Sequence, residues 1–291
     1  MKLLKGYLFA ILSAVIYGLM PLMASHIYAD GVNAMTLVLL RNLLALPALA
    51  ILAFCQQKTL KVPVRSLGGT AFLAAFGCCI TPVLLFSAYR FIAGGTATVL
   101  HFVYPAIVVV IGILFLKKKA QWGTLLSLAL CIGGICMFYK PDGQFHWGGA
   151  GLALASGVTF AVYVSMLPVL RHKAVSGFLF TFYVALFSTV MMAITCIATG
   201  NLALPQSLAG WGLCLLFAIG VTCGAVMLFQ QGTFCIGPEK ASILSTFEPI
   251  TSVVVGVAFM GEVLGPRDCV GIVLVLAASV LIAVMDMKKT A

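Results

Sequence analysis

Charged side chains are scarce in this chain. Of its 291 residues only 8% are charged and seven are acidic, whereas 63% are hydrophobic. A soluble domain of this size would not have enough polar side chains to cover its surface. The composition therefore excludes an ordinary soluble fold and indicates that hydrocarbon surrounds most of the chain.

Motifs for catalysis, nucleotide binding and metal binding are also missing. The chain has no Gly-x-x-x-x-Gly-Lys-Ser/Thr phosphate loop, no His-Glu-x-x-His, no Gly-x-Ser-x-Gly and no Gly-x-Gly-Asp. Its ten cysteines form no Cys-x-x-Cys pair and no His/Cys cluster with zinc spacing. We therefore predict no cofactor, no metal site and no enzymatic activity. An intramembrane lipid-processing enzyme is a remote alternative.

Ten apolar segments are long enough to cross a bilayer core of about 30 Å. They cover approximately residues 6–25, 34–54, 68–89, 95–116, 122–139, 149–170, 177–199, 211–234, 238–260 and 269–286. A helix satisfies its own backbone groups in lipid, and the alternation typical of transmembrane β-strands is absent. The sequence predicts an all-α integral membrane fold with ten transmembrane helices, numbered here as spans one to ten.

The net charge of +10 is explained by topology. With the N-terminus in the cytoplasm, thirteen Lys and Arg residues fall on the inner side, three on the outer side, and Arg41 within the membrane. This positive-inside bias predicts a multi-pass protein of the cell (plasma or inner) membrane with both termini cytoplasmic. It argues against a nucleic-acid partner. The expected partners are a small-molecule substrate and membrane lipid, with the protein a monomer or a homodimer.

The two halves of the chain resemble each other. Thr246-Phe247-Glu248-Pro249 repeats Phe102-Val103-Tyr104-Pro105 at an offset of 144 residues. We predict two repeats, 1–145 and 146–291, with five spans each. Because five is odd, the second copy enters the membrane from the opposite side, so the repeats are inverted. Inverted repeats favour alternating access around a site between them.

Glu248 is the first candidate for the functional site. Span nine begins near Pro238 on the inner side. Ten residues from there, at about 1.5 Å each, place Glu248 about 15 Å deep, near the bilayer centre. An ionisable group there is costly and faces a cavity in most membrane proteins. Burial favours its neutral form, which suits reversible proton binding coupled to transport. The alternative is a structural hydrogen bond at the kink made by Pro249.

Pro105 and Pro249 each remove a backbone donor in mid-helix. The freed carbonyls near the midplane suit a hinge or a substrate site, and a simple packing kink is the alternative. Tyr104 is the repeat counterpart of Glu248 and is expected to face the same cavity. His101 lies one turn before Pro105 and is either a satisfied interior group or a proton carrier.

Other polar residues within the spans are candidates for a substrate pathway. Arg41 lies about 12 Å deep in span two, where it binds an anionic group, pairs with Glu248 or snorkels outward. The remaining pathway candidates, each of which could equally lie at a helix interface, are Tyr17, Tyr89, Tyr163, Gln230 and Gln231.

Taken together, several motifs resemble the drug/metabolite transporter superfamily, specifically its ten-span EamA type. They are Arg41-Asn-Leu-Leu-Ala45 in span two, Glu248-Pro249 in span nine, and Gly261-Glu262-Val-Leu-Gly265 after it. The resemblance implies a central cavity lined mainly by spans one, three, four, six, eight and nine. It also implies small metabolites or drugs as cargo, often exported, with amino acids a frequent class. Lys117-Lys118 replaces the Gly-Glu pair in the first repeat, so Glu262 is interpreted as structural or peripheral.

We therefore predict a secondary transporter that exports small metabolites, such as amino acids or drugs, by alternating access with Glu248 as the coupling group. An uncoupled facilitator or exchanger on the same fold is the alternative.

Overall fold

The computed structural model describes residues 2–57, 59–116, 122–137, 146–170, 175–236, 241 and 244–290. These residues are helical with short connections, and no strand occurs among them. In chain order the helices are α1 (Lys2–Gly18), α2 (Met20–Ala29), α3 (Ala34–Leu43), α4 (Leu46–Gln57), α5 (Val64–Leu73), α6 (Thr81–Ala88), α7 (Gly94–His101), α8 (Tyr104–Leu116), α9 (Trp122–Met137), α10 (Trp147–Leu170), α11 (Gly177–Thr199), α12 (Leu208–Phe217), α13 (Met227–Ile236), α14 (Phe247–Phe259) and α15 (Pro266–Thr290).

These helices account for the ten predicted spans. Paired helices form spans one (α1, α2), two (α3, α4), three (α5, α6), four (α7, α8) and eight (α12, α13), and single helices α9, α10, α11, α14 and α15 form the others. Six spans are long and apolar enough to cross a membrane by length and composition: Leu4–Ala29, Ala34–Gln57, Val64–Ala88, Trp147–Leu170, Gly177–Thr199 and Leu208–Ile236. Gly94–Val108 and Phe247–Phe259 are shorter apolar helices.

The packing of the spans follows a two-fold pattern. Span two packs on span seven, span four on span nine, and span five on span ten, so each of these meets its own repeat counterpart. Span one packs on spans eight and nine, and span six packs on spans three and four. Span six begins beside Phe91, at the end of the bundle where span one finishes. Spans one and six therefore run in opposite directions, as inverted repeats require.

Spans four and nine are interrupted at equivalent places. Helix α7 ends at His101 and α8 begins at Tyr104, while in span nine residues 245 and 246 form a turn before α14 begins at Phe247. Each break lies directly before a proline, Pro105 or Pro249. A proline ring removes one donor and clashes with the preceding turn, so the helix cannot continue unbroken.

A second pair of irregularities was not predicted from the sequence. Residues Ala74–Ile80 of span three and Ala218–Val226 of span eight are π-helical, and their first residues are 144 positions apart. Neither segment contains proline, and neither contains a sequence motif from which a π-helical turn could be predicted. π-Helical turns occur frequently at functional sites, and the span-three segment contributes to the cavity described below.

A thiol within each of these two segments donates a hydrogen bond to the other repeat. Cys79 Sγ donates to the Ser188 carbonyl oxygen at 3.7 Å, and Cys223 Sγ donates to the Ala45 carbonyl oxygen at 3.7 Å. Both partners lie in the pair of spans two and seven. The two contacts are thus related by the repeat, which extends the two-fold pattern from helix order to individual hydrogen bonds.

Glycines allow the closest contacts between spans. A Cβ atom added to Gly157 of α10 would lie 2.6 Å from the His101 carbonyl oxygen, and one added to Gly18 would lie 2.7 Å from the Glu248 carbonyl oxygen. These carbonyl oxygens belong to the backbone around the two broken regions. Small residues thus bring spans one and six against the helix breaks, as expected where backbones approach closely.

We expect Gly157→Ala to destabilise the protein by about 1–3 kcal/mol, because the new methyl group would force α10 away from the His101 backbone. Gly151→Ala on the same helix is the matched control, because no atom lies within 4 Å of its added Cβ. Alanine is the better helix former there, so Gly151→Ala should be neutral or up to about 1 kcal/mol stabilising. Thermal unfolding in detergent measures both variants, and equal effects would contradict the packing account.

Candidate functional site

A cavity lies between the two repeats, with about 580 Å³ of space free of protein atoms, part of it open to the surroundings. Its polar lining consists of Tyr17, Arg41, Cys78, Thr81, His101, Tyr163 and Glu248. Its apolar lining consists of Met20, Gly77, Pro82, Leu85, Phe86, Phe160, Val226 and Phe229. The lining comes from spans one, three, four, six, eight and nine, the six that the family resemblance implies, and span two adds Arg41.

Arg41 lines this cavity, and no carboxylate in the described parts of the chain forms an ion pair with it. Its side chain is only 4% exposed, its guanidinium carbon lies 5.8 Å from the centre of the Phe86 ring, and the Cys78 thiol lies beside it in the cavity wall. Its Nε is buried without a hydrogen-bond partner in the described parts of the chain. Neither snorkelling nor an ion pair with Glu248 is observed. A guanidinium does not lose its charge in proteins, so the cavity wall carries a fixed positive charge.

Glu248 lies in the first turn of α14 and is 6% exposed. Its backbone amide donates to the Ser245 carbonyl oxygen at 2.9 Å across the break in span nine. Among the described residues, no group donates a hydrogen bond to its carboxylate. A carboxylate without donors can escape the cost of buried charge by taking a proton.

His101 and Tyr104 lie on the opposite repeat at the matching helix break. His101 Nδ1 is 2.8 Å from Ser156 Oγ, and the Ser156 hydroxyl donates to the Ala153 carbonyl oxygen at 2.6 Å. Because that hydroxyl has a single hydrogen, Nδ1 acts as the donor and the neutral ring keeps Nε2 as an acceptor. Tyr104 packs edge-on against Phe160, with ring centres 4.8 Å apart. Tyr104 does not itself line the cavity, although it lies 5.7 Å from the His101 ring.

The remaining pathway candidates are distributed between the cavity and its surroundings. Tyr17 and Tyr163 line it. Gln230 is fully buried behind Tyr163, where it donates to the tyrosine hydroxyl at 3.4 Å and accepts from Thr181 Oγ1 at 2.7 Å. Gln231 lies outside the cavity beside Gly177, and Tyr89 contacts Thr98 Oγ1 at 3.4 Å near the crossing of spans four and nine.

Sequence reasoning missed Cys78 and Thr81 as lining residues. Cys78 lies in the π-helical part of span three, and Thr81 follows it and bonds Thr159 Oγ1 of span six at 2.7 Å. Small polar residues in an apolar segment resemble ordinary packing residues, so only the π-helical turn identifies them. The phenylalanines of the lining could not be predicted either, because the chain contains 20 Phe and nothing in the sequence distinguishes those that face the cavity.

One end of the bundle is held by hydrogen bonds between the repeats. We call it the Asp30 end. Asp30 Oδ2 accepts from the amides of Gln206 and Ser207, before span eight, at 2.9 and 3.2 Å. Hydrogen bonds from the Ser207 side chain and backbone lower the pKa of Asp30. Asn33 Nδ2 donates to the Asn201 carbonyl oxygen at 2.9 Å. These contacts join the first repeat to the second above the cavity.

Glu262 makes a further connection at the Asp30 end. Gly261 adopts a left-handed backbone conformation (φ 67°), which turns the chain so that the Glu262 amide donates to the Gly256 carbonyl oxygen at 3.0 Å. The carboxylate then accepts from the amides of Gly94 at 2.7 Å and Gly95 at 3.3 Å. It caps the first turn of α7 from the other repeat. The Gly-Glu motif is thus a link between spans nine and four.

Burial raises the pKa of the Glu262 carboxyl, although hydrogen bonds from the Gly95 and Gly94 amides oppose the shift. The folded protein then holds a proton that the unfolded chain has released. Stability from this group is therefore greatest at low pH and is lost as pH rises through the raised pKa.

We expect Glu262→Gln to flatten this part of the pH dependence of thermal stability while keeping an acceptor for the Gly94 amide. Glu262→Ala should instead destabilise the protein by about 1–3 kcal/mol at every pH, because buried amides lose their partner. Thermal unfolding between pH 4 and 8 (roughly the range of raised carboxyl pKa values) compares the two variants. An alanine variant as stable as the parent would show that the cap is unimportant.

The fold and the cavity define a class: a multi-pass, all-α membrane protein whose two inverted repeats enclose one site. The EamA-like transporter family matches residues 4–140 and 147–284, and the chain belongs to this family. The match confirms the predicted superfamily and the two-repeat membrane fold. The protein is thus a membrane transporter, and this assignment points away from the enzymatic alternative.

Three similar proteins are also named as transporters. The chain is 28% identical over 180 residues to "Uncharacterized transporter YwfM" of Bacillus subtilis (strain 168), covering 60% of this chain and 59% of that protein. It is 22% identical to an "Uncharacterized transporter" of Clostridium kluyveri, covering 95% and 92% of the two chains. It is 26% identical to an "Uncharacterized transporter" of Archaeoglobus fulgidus, covering 94% of each. One solved crystal structure is similar in fold, with a TM-score of 0.66 at 15% identity over 98% of this chain and 99% of the other.

Proposed function

We propose that this protein is a secondary transporter that exports small organic metabolites, such as amino acids or drugs, by alternating access, with proton coupling through Glu248. The observation that carries the proposal is the cavity between the repeats, where Glu248 and Arg41 are both buried. Ionisable groups at this depth are costly and are typical of substrate and ion pathways.

The arrangement of the helix breaks supports alternating access. The breaks before Pro105 and Pro249 lie beside His101 and Glu248, which line the cavity from opposite repeats. A change of angle at either break would move one wall relative to the other, with Pro105 and Pro249 as the hinges. The hydrogen bonds of Asp30 and Glu262 close one end in this conformation and would have to open for access from that side.

The charge distribution supports an orientation. We propose that both termini are cytoplasmic and that the Asp30 end faces outward, because Lys and Arg are concentrated in the connections at the other end. In a bacterial-type cell this corresponds to the plasma or inner membrane. The cavity in this conformation is then sealed toward the outside by the Asp30 and Glu262 contacts.

Glu248→Gln tests the coupling. The amide has the same shape as a protonated carboxyl but cannot exchange a proton, so we expect substrate exchange to continue and proton movement to stop. Proteoliposomes containing a pH-sensitive dye are exposed to a panel of amino acids and organic acids, and internal pH is recorded beside radiolabelled counterflow. The parent protein should change internal pH on addition of a transported compound.

Glu262→Gln is the control, because it removes a second glutamate carboxylate that lies outside the cavity and keeps an acceptor for the Gly94 amide at the closed end. It should retain proton movement. If Glu248→Gln moves protons as fast as the parent, Glu248 is not the coupling group. If the parent itself exchanges substrate without moving protons, the protein is an uncoupled facilitator or exchanger.

A further inference from the structure

We propose that the cavity binds a monocarboxylate with an apolar body, its carboxylate on Arg41, and that this anion moves together with one proton carried by Glu248. The inference rests on the proposed transport function, narrows its substrates from amino acids and drugs in general to organic anions, and adds the direction of coupling. The two buried ionisable groups differ in one respect: Glu248 can become neutral by taking a proton, whereas Arg41 keeps its charge.

First, the Arg41 guanidinium has no ion-pair partner among the residues that the structure describes. The Arg41 side chain is 4% exposed and lines the cavity. Its Nε atom is buried and has no hydrogen-bond partner among the described residues. A charged group out of water requires an opposite charge or hydrogen-bond acceptors. The Cys78 thiol and the Phe86 face supply only weak compensation. The missing component is an anion, and guanidinium pairs best with a planar, two-oxygen group such as a carboxylate.

The second step is the state of Glu248. No hydrogen bond or ion pair joins it to Arg41, although both line the same cavity. Glu248 can lose its charge by taking a proton, whereas Arg41 cannot lose its own. A substrate anion on Arg41 would repel an ionised Glu248 across a low-dielectric space. Binding of the anion therefore favours the protonated acid, and by linkage the proton favours the anion.

The third step is the remaining lining, which selects the body of the ligand. Eight of the fifteen lining residues are apolar, and Phe86, Phe160 and Phe229 among them are aromatic. Apolar and aromatic walls bind an aliphatic or aromatic body, and a few placed polar groups fix its orientation. A cation is disfavoured by Arg41. A zwitterion would need an ionised Glu248, and no described donor stabilises that form.

Other titratable groups lie near Glu248, so the experiment has to distinguish their protonation from that of Glu248. The groups that line the same cavity are Tyr17, Arg41, Cys78, His101 and Tyr163, and Tyr89 and Tyr104 lie within electrostatic range. Of these side-chain types, histidine is the one that ordinarily titrates between pH 5 and 8 in water. A variant of His101 therefore belongs in the test.

The test uses four compounds that share a phenyl body and differ in charge. They are 3-phenylpropanoate (anion), phenylalanine (zwitterion), 2-phenylethylamine (cation) and 3-phenylpropan-1-ol (neutral). Binding to the purified full-length protein is measured by calorimetry at pH 6, and uptake is measured in proteoliposomes (about pH 6 keeps the acid ionised). We expect the anion to bind tightest and Arg41→Gln to weaken its binding by about 10- to 100-fold. Arg90→Gln, which removes an exposed arginine, is the matched control and should leave binding unchanged.

The pH dependence tests the coupled proton. Since the anion binds with Glu248 protonated, its apparent Kd should rise about tenfold per pH unit above the point where Glu248 releases its proton. Glu248→Gln should remove this slope and keep the tight, low-pH affinity. His101→Asn should keep the slope. If the slope survives in Glu248→Gln and disappears in His101→Asn, the proton is carried by His101 and the proposal is wrong.

Separate readouts distinguish this inference from the proposed function. If phenylalanine or 2-phenylethylamine binds and is transported in preference to the anion, transport stands and the anion site is wrong. If the anion binds through Arg41 but no compound is taken up beyond protein-free liposomes, the site stands and the transport function is wrong. If 3-phenylpropanoate binds Arg41→Gln as tightly as the parent, the anion site is wrong whatever the uptake.

Discussion

The cost of placing a charge in hydrocarbon is the constraint on which the organisation of this protein depends. A chain with 8% charged residues has little freedom to place them, and those within the spans must face a partner or a cavity. Arg41 and Glu248 both face the same space. The helix breaks, the close glycine contacts and the π-helical turns are arranged around that space, so its position follows from where the charges can be tolerated.

Backbone hydrogen bonding imposes a second constraint, because irregular backbone inside a membrane has to be covered by protein or line a cavity. The breaks in spans four and nine satisfy this condition through spans six and one. Gly157 packs against the His101 carbonyl, and Gly18 packs against the Glu248 carbonyl. The π-helical segments are covered in a similar way by spans two and seven, which accept the thiol hydrogen bonds. Irregular backbone is thus covered by protein in both repeats, at equivalent places and by different residues.

Much of this organisation could be predicted from the sequence because the signals are long or repeated. Span number, inverted repeats and the helix breaks follow from apolar length, charge bias and the Pro105/Pro249 offset. The cavity lining was predictable only in part. Arg41, Glu248, His101, Tyr17 and Tyr163 stand out as polar residues in apolar segments, and the structure brings them together.

The remaining features depend on three-dimensional contacts that no local pattern encodes. Gln230 and Gln231 are adjacent amides, yet only Gln230 lies in the network behind Tyr163, since successive residues on a helix point in different directions. Cys78 lines the cavity from the π-helical segment of span three, and Thr81 lines it from the first residue of α6. Glu262 binds amides 168 positions away in sequence, and that partner is set by the packing of spans nine and four.

The asymmetry between the repeats connects the architecture with transport. Glu248 belongs to the second repeat and replaces the tyrosine of the first, whereas Arg41 belongs to the first and corresponds to the buried Val184 at the offset that relates Ala45 to Ser188. The first repeat thus contributes a basic group, Arg41, and the second an acidic group, Glu248, at positions where the other repeat has neither. If the repeats move as bodies about the breaks, the separation of the fixed positive charge and the titratable acid changes with them. Because Coulomb energy at low dielectric depends strongly on distance, such a movement would link the conformational change to the protonation of Glu248 in the proposed transport cycle.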